Sequence, residues 1–428
     1  MKKYQDMTRD ELVSLKNDLL EEFKEEKAKN LSLNMARGKP GKAQLELAMP
    51  MLDVLNSQAD MNTILGNDTR NYGDLDGIGE CRQLIADMME VQKDNVIVCG
   101  NSSLNIMYDT VARSMSFGVN GSTPWHQLDK VKFLCPVPGY DRHFKITELF
   151  GIEMINIPLS ETGPDMDMVE QYVNNDPAVK GIWCVPKYSN PTGISYCDET
   201  VRRFANLKPA AEDFRIYWDN AYCIHHLYDD KHDVILNILT ECEKAGNPDM
   251  VYIFASTSKI SFPGSGVSAI ASSKTNIQNI LKLMTVQTIG HDKINQLRHV
   301  RFFKDIDGLK AHMKKHSDIL RPKFEAVLDT LQSELGDLGI GDWIKPRGGY
   351  FISFNAMPGC AKKIVALCKE LGVVMTGAGA TYPYGKDPLD SNIRIAPSFP
   401  SPEEMAMASK VFVLCVKLAS VEKLLGEF

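Results

Sequence analysis

From about residue 90 to residue 275 two patterns alternate along the chain. Short apolar runs rich in β-branched and aromatic side chains occur at Val96–Cys99, Val131–Cys135, Ile152–Ile157, Gly181–Val185, Phe214–Trp218, Val251–Phe254 and Val267–Ala271. Between several of them lie segments with helical spacing, such as Leu104–Met115 and Tyr140–Phe150, the latter stopped by Gly151. This alternation predicts a mostly parallel sheet flanked by helices. Upstream, residues 8–27 predict a helix: Leu12, Leu15, Leu19 and Phe23 form one apolar stripe, and Thr8 and Glu11 have the spacing of a capping box. A Gly/Pro-rich loop, Ala36-Arg37-Gly38-Lys39-Pro40-Gly41, follows.

After about residue 300 the pattern changes. Charged helical sequence over Lys304–Glu334 precedes a short strand at Tyr350–Phe354, a helix at Ala361–Leu371 closed by Gly372, and a strand at Val373–Met375. A last helix opens at Ser401-Pro402-Glu403-Glu404, with Ser as cap and Pro in the first turn. The fold class read from this is α/β: a large domain with a mostly parallel, helix-flanked sheet, plus a smaller α+β domain. The expected divisions are 1–60 as an N-terminal segment joining the small domain, 61–305 as the large domain and 306–428 as the small one.

A chain of 428 residues is too long for one core, in keeping with two domains. With 44% hydrophobic and 24% charged residues it is an ordinary globular composition. The net charge of −7 disfavours nucleic acid or an anionic membrane as partner. The ten cysteines are scattered, several inside apolar runs, which predicts buried thiols rather than a disulfide scaffold. The polar start shows no secretory signal, and no apolar run approaches the roughly 20 residues of a membrane helix, so the expected location is the cytoplasm.

In a helix-flanked parallel sheet, ligands bind at the carboxyl ends of the strands. Four runs end in residues that can do chemistry. Gly181–Val185 leads to Ser189-Asn190-Pro191-Thr192-Gly193, and Phe214–Trp218 to Asp219-Asn220-Ala221-Tyr222. Val251–Phe254 leads to Ser256-Thr257-Ser258-Lys259, and Val96–Cys99 to Gly100-Asn101-Ser102-Ser103 at a helix start. A lysine with a lowered pKa can form a Schiff base with an aldehyde. A carboxylate can keep a ring nitrogen protonated, a phenol and an amide can bind a ring hydroxyl, and a helix N-terminus with serines can bind a phosphate. Pyridoxal 5′-phosphate carries all of these groups.

Together and in this order, the motifs resemble those of the fold-type I pyridoxal-phosphate aminotransferases of class I/II, with the nearest likeness to a bacterial aspartate aminotransferase subgroup. The likeness runs from Arg37-Gly38-Lys39-Pro40 to Arg394. It implies that Lys259 holds the cofactor and moves the proton, that Asp219 pairs with the ring nitrogen, and that Asn190 and Tyr222 bind the ring oxygen. It also implies that Tyr140 stacks on the ring, that Ser102, Ser103, Ser256 and Ser258 surround the phosphate, and that Gly38 lets the backbone approach the substrate. Arg394 would bind the substrate α-carboxylate. Tyr72, in Tyr72-Gly73-Asp74-Leu75-Asp76-Gly77, would reach the phosphate of a second subunit, which predicts a homodimer.

Two departures stand out. The family's phosphate-binding arginine, seven or eight residues after the lysine, is replaced by Gly266 or Val267, and its Leu-Arg pair becomes Cys81-Arg82. For a side-chain carboxylate the candidates are Arg37, beside Gly38, and Arg347, before Gly348-Gly349-Tyr350. His312 and His316, four apart with Lys314 and Lys315 between them, read as a solvated helix face rather than metal ligands. His225-His226 reads as packing. No metal site and no nucleotide fingerprint is indicated.

The leading expectation is an aminotransferase for L-aspartate and 2-oxoglutarate working by a ping-pong mechanism. The alternatives are aromatic or 2-aminoadipate substrates, or a lyase on the same fold. A DNA-binding regulator with an aminotransferase-like domain is a further class. It would need an extra domain of ~70 residues, whereas 36 residues precede Arg37 here.

Overall fold

The computed structural model describes residues 2–428. Its central feature is an eight-stranded sheet built from β2 (Val96–Cys99), β3 (Lys132–Val137), β4 (Glu153–Ser160), β5 (Gly163–Pro164), β6 (Val179–Cys184), β7 (Arg215–Asp219), β8 (Val251–Ser256) and β9 (Ser268–Ala271), a two-residue β1 (Leu33–Asn34) lying elsewhere. The spatial order is β2-β9-β8-β7-β6-β3-β4-β5. The β8-β7-β6-β3-β4 pairs are all parallel, while β9 runs antiparallel to both β8 and β2. Two reversals restore direction, so β2 points the same way as β8 and its carboxyl end joins theirs at one edge. Strands β2, β6, β7 and β9 are buried along their whole length, as expected when helices cover both faces.

Local sequence explains the helix boundaries. Helix α1 (Arg9–Ala28) starts in the predicted capping box, with Thr8 Oγ1 accepting from the Glu11 amide and Glu11 accepting from that of Thr8. Helix α2 (Ser103–Phe117) takes Ser102 as its cap, and α3 (Asp141–Leu149) stops before Gly151, which sits at φ +68°. Helices α4 (Lys293–Phe303) and α5 (Ile306–Leu335) follow the sheet, and the predicted charged stretch is this single 30-residue α5.

The small sheet is antiparallel: β10 (Gly341–Trp343), β11 (Ile352–Ala356) and β13 (Asn392–Ile395). β11 starts two residues later than the sequence pattern indicates. Helix α6 (Ala361–Glu370) leads into β12 (Val373–Val374), which pairs in parallel with β1. α7 (Pro402–Leu425) is capped by Ser401 as predicted, and its middle, residues 411–416, is buried without interruption where α1, α5 and α6 pack against it.

Apolar packing divides into two regions. Leu12, Leu19, Phe23 and Leu33 from the N-terminal segment share a cluster with Leu320, Phe324, Phe354 and the α7 core. The two faces of the large sheet carry the other clusters. Helix α5 spans both regions: Leu309 and Met313 pack with the large sheet, and Leu320 onward with the small domain. This placement corrects the expectation for His312 and His316. Both are buried, because this part of α5 lies against the turn that follows β8.

Candidate active site

The carboxyl edge of β2, β6, β7 and β8 opens into a cleft of about 530 Å³, closed on its other side by residues of the N-terminal loop and the small domain. It is lined by Arg37, Gly38, Ser102, Ser103, Tyr140, Asn190, Asp219, Tyr222, Ser256, Ser258, Lys259 and Arg394. Of the predicted site residues, Tyr72 and the alternative side-chain arginine Arg347 are absent from this lining, and the others are in one place. Tyr72 lies outside the cleft of its own chain and is 82% exposed.

Lys259 sits in the turn after β8, its Nζ 5.1 Å from the Tyr222 ring centre and 5.8 Å from that of Tyr350. Burial holds its ammonium below the ordinary lysine range, with Asp219 opposing the shift and Arg394 reinforcing it. More of a lysine poised this way is free amine than of a solvated one, available as nucleophile or proton acceptor. Burial also raises the phenol pKa values, that of Tyr222 well above the usual and that of Tyr140 to about 12, so both are hydroxyl donors near neutral pH.

Asp219, at the end of β7, is buried, and its two oxygens differ. His143 Nε2 donates to Oδ2 at 2.9 Å, while Oδ1 is buried and has no partner among the described residues. An unmatched buried carboxylate oxygen is costly, and a ring N–H entering the cleft would satisfy it. His143 is held in turn by stacking on Trp183, 4.5 Å between centres at 12°, with Tyr140 edge-on at 4.9 Å. The sequence reading missed His143. Its only signal was three-residue spacing from Tyr140 on a helix.

The start of α2 brings the positive end of a helix dipole beside Ser102 and Ser103, with Ser102 Oγ accepting from the Leu104 amide. Across from it, Ser256 Oγ donates to Ser258 Oγ at 3.0 Å, and Ser258 Oγ donates to Asn101 O at 3.3 Å. Where the family's arginine is absent, the loop instead packs closely. A Cβ on Gly266 would lie 2.9 Å from Thr257 Oγ1. One cation does reach this loop: Arg298 of α4 donates to Ser265 Oγ at 2.7 Å.

Arg394 is carried by β13 and rests on Phe351, 4.8 Å from the ring centre. Its Nη1 donates to Asn190 Oδ1 at 3.2 Å and to Asp141 Oδ1 at 3.1 Å. Gly38 meets the tip of the Phe351 ring; a Cβ there would lie 2.3 Å from Phe351 Cζ. Of the two arginines proposed for a side-chain carboxylate, Arg37 lines the cleft. Arg347 does not, and pairs with Asp233 at 3.3 Å. Arg142 and Lys39, not singled out from sequence, also line the cleft.

Beneath Lys259 the turn is gripped by a polar network. His312 Nε2 donates to Ile260 O at 2.9 Å and lies 3.1 Å from His316 Nε2. Gln44 Nε2 approaches His316 Nδ1 at 3.0 Å and donates to Tyr350 OH at 2.8 Å, and Tyr350 OH reaches Lys259 O at 3.4 Å. On the other flank Ser261 Oγ donates to His299 Nε2 at 2.8 Å. His225 packs edge-on against Tyr222 and Tyr350, as expected of a packing residue.

Comparison with known proteins agrees with this geometry. The family model described as "Aspartate amino-transferase" matches residues 7–428. A putative aminotransferase of Mycolicibacterium smegmatis is 45% identical over 426 residues, covering 99% of each chain. An aspartate aminotransferase of Corynebacterium glutamicum is 45% identical over 419 residues, covering 98% of this chain and 96% of its own. The crystal structure of an aspartate transaminase from the same organism superposes with a TM-score of 0.96 at 44% identity, over 99% of both chains.

Proposed function

The chain belongs to the aspartate amino-transferase family and is an aminotransferase; from that premise we propose that it uses pyridoxal 5′-phosphate to move an amino group from L-aspartate to 2-oxoglutarate. The observation that carries the cofactor reading is Asp219, with one oxygen taken by His143 and the other buried without a partner among the described residues, in the cleft that holds Lys259. A pyridine nitrogen kept protonated by Asp219 is the group that fits.

When bound, the cofactor supplies an aldehyde for the lysine and a ring that withdraws electrons from the substrate carbon. The chain does the rest. Asp219 Oδ1 holds the ring nitrogen's proton, and Asn190 and Tyr222 hold the ring oxygen. The α2 N-terminus with Ser102, Ser103, Ser256 and Ser258 holds the phosphate, and Tyr140 covers a ring face. Arg394 binds the α-carboxylate and so fixes which bond at Cα points at Lys259. Lys259 Nζ, its pKa lowered by burial, would take the proton from Cα and deliver it to the cofactor's former aldehyde carbon, and would carry it the opposite way in the second half-reaction.

The dicarboxylate reading rests on the cations at the cleft. Beyond Arg394, Arg37 and Arg142 line it with no ion-pair partner among the described residues. A second copy of the chain belongs to the same proposal: Tyr72, Ile64, Leu65, Val286 and Ile289 are all exposed large hydrophobic side chains, which a partner could cover.

The test is an absorbance spectrum of the holoenzyme. The visible band should move to shorter wavelength with L-aspartate and return with 2-oxoglutarate, and Lys259→Ala should lose at least about 10³-fold in turnover. A band that ignores aspartate but answers another amino acid would replace the substrate and keep the chemistry. Turnover retained by Lys259→Ala would remove the lysine from its role.

A further inference from the structure

One charge in the cleft has no part in the mechanism above. Asp141 opens α3, and its Oδ1 lies 3.1 Å from Arg394 Nη1, the nitrogen that also serves Asn190. The remaining donors of this arginine are poorly used: Nη2 has Thr376 Oγ1 at 3.4 Å, and Nε is buried with no partner among the described residues. The two charged partners are held differently. Arg394 is fixed by β13 and by Phe351, and its side chain is only 9% exposed, whereas that of Asp141 is 31% exposed.

A guanidinium that buried needs an anionic partner. The α-carboxylate can fill that role only while substrate is bound. We propose that Asp141 is a built-in stand-in for the substrate α-carboxylate: it holds Arg394 between turnovers and yields to the incoming amino or oxo acid. The half-exposed position of Asp141 leaves room for its carboxylate to turn away, while Arg394 stays in place. Two carboxylates at one guanidinium repel each other, so Asp141 loosens every α-carboxylate to a similar degree, donor and product alike. Such uniform weakening of binding raises KM rather than lowering kcat, and it hastens release of the oxo-acid product. The inference rests on the reading of Arg394 as the α-carboxylate site.

The experiment uses the holoenzyme and succinate, a dicarboxylate with no amino or oxo group to react. Its Kd is read by calorimetry, and the thermal midpoint is measured with and without it. Asp141→Asn, with Asp141→Ser as a second way of removing the charge, should bind succinate about 3- to 10-fold more tightly than the unaltered protein. Without succinate the midpoint of these variants should fall, and succinate should raise it by more than it raises that of the unaltered protein. A merely structural aspartate would lower the midpoint without tightening Kd. Equal or weaker succinate binding in both variants, while Arg394→Lys loses affinity, would overturn the stand-in and leave the α-carboxylate site intact. Undiminished binding by Arg394→Lys would overturn the site itself, and the stand-in with it.

Discussion

His143 Nε2 donates to Asp219 Oδ2 at 2.9 Å, which leaves Oδ1, without a partner among the described residues, to pair with the ring nitrogen of the proposed cofactor. Both side chains are buried, and Trp183 stacks beneath the imidazole, so the carboxylate cannot rotate freely. His143→Leu keeps the volume and deletes the bond. The expected loss is about 1.5–3 kcal/mol of support for the charged carboxylate, or 10- to 100-fold in cofactor affinity. Equilibrium dialysis of the cofactor checks this; an unchanged Kd would mean that Asp219 needs no positioning.

The grip on the Lys259 turn makes the protein sensitive to acid. Burial lowers the His299 pKa to about 4, and burial with neighbouring His312 lowers that of His316 to about 3, from an unfolded value near 6.5. Below pH 6.5 the unfolded chain therefore binds more protons than the folded one, and stability falls as pH drops toward those folded values. Each histidine contributes at most about 1.4 kcal/mol per pH unit in that window. Denaturant midpoints between pH 7 and 5 should decline, and less so in His299→Gln. A flat profile over that range would contradict the assignment.

Gly38 faces the Phe351 ring. The Cβ of Gly38→Ala would lie 2.3 Å from Phe351 Cζ, too close for the ring to stay. Phe351 supports Arg394 from 4.8 Å, so the strain reaches the proposed α-carboxylate site. Overpacking of this kind costs about 1–3 kcal/mol, and KM for both substrates should rise roughly 10-fold with kcat less affected. Adding Phe351→Leu should relieve the stability loss without restoring KM, since the shelf under Arg394 is then gone.

What was legible in the sequence was whatever local chemistry determines. The strands of the large sheet are short and apolar because both faces are covered, and Thr8 with Glu11, or Ser401 with Glu404, fix helix starts within a few residues. The residues after those strands converge because parallel strands end at one edge. What stayed hidden depended on contacts distant along the chain. His143 acts through Asp219, 76 residues away, and Asp141 through Arg394, 253 residues away. His312 and His316 look solvated beside Lys314 and Lys315, yet α5 turns them toward Ile260. The pairing of β1 with β12 joins Leu33 to Val373, for which two residues per strand give no pattern to read.

The proposed substrate, L-aspartate, carries a second carboxylate that needs its own partner. Arg37 arrives on the N-terminal loop and Arg142 on α3, and both line the cleft without an ion-pair partner among the described residues, whereas Arg347 is paired with Asp233 outside it. A carboxylate drawn from water into the cleft needs a cation there, because its desolvation is otherwise uncompensated. Removing both, as Arg37→Ala with Arg142→Ala, should lower kcat/KM for aspartate about 100-fold, roughly 2.7 kcal/mol, while kcat/KM for alanine, which has no second carboxylate, changes little. The single variants divide that loss between the two arginines, and Arg347→Ala should leave the aspartate-to-alanine ratio where it was. If the double variant keeps the ratio, neither arginine reads the side chain; a collapse with Arg347→Ala alone would mean that this arginine leaves Asp233 to meet the substrate.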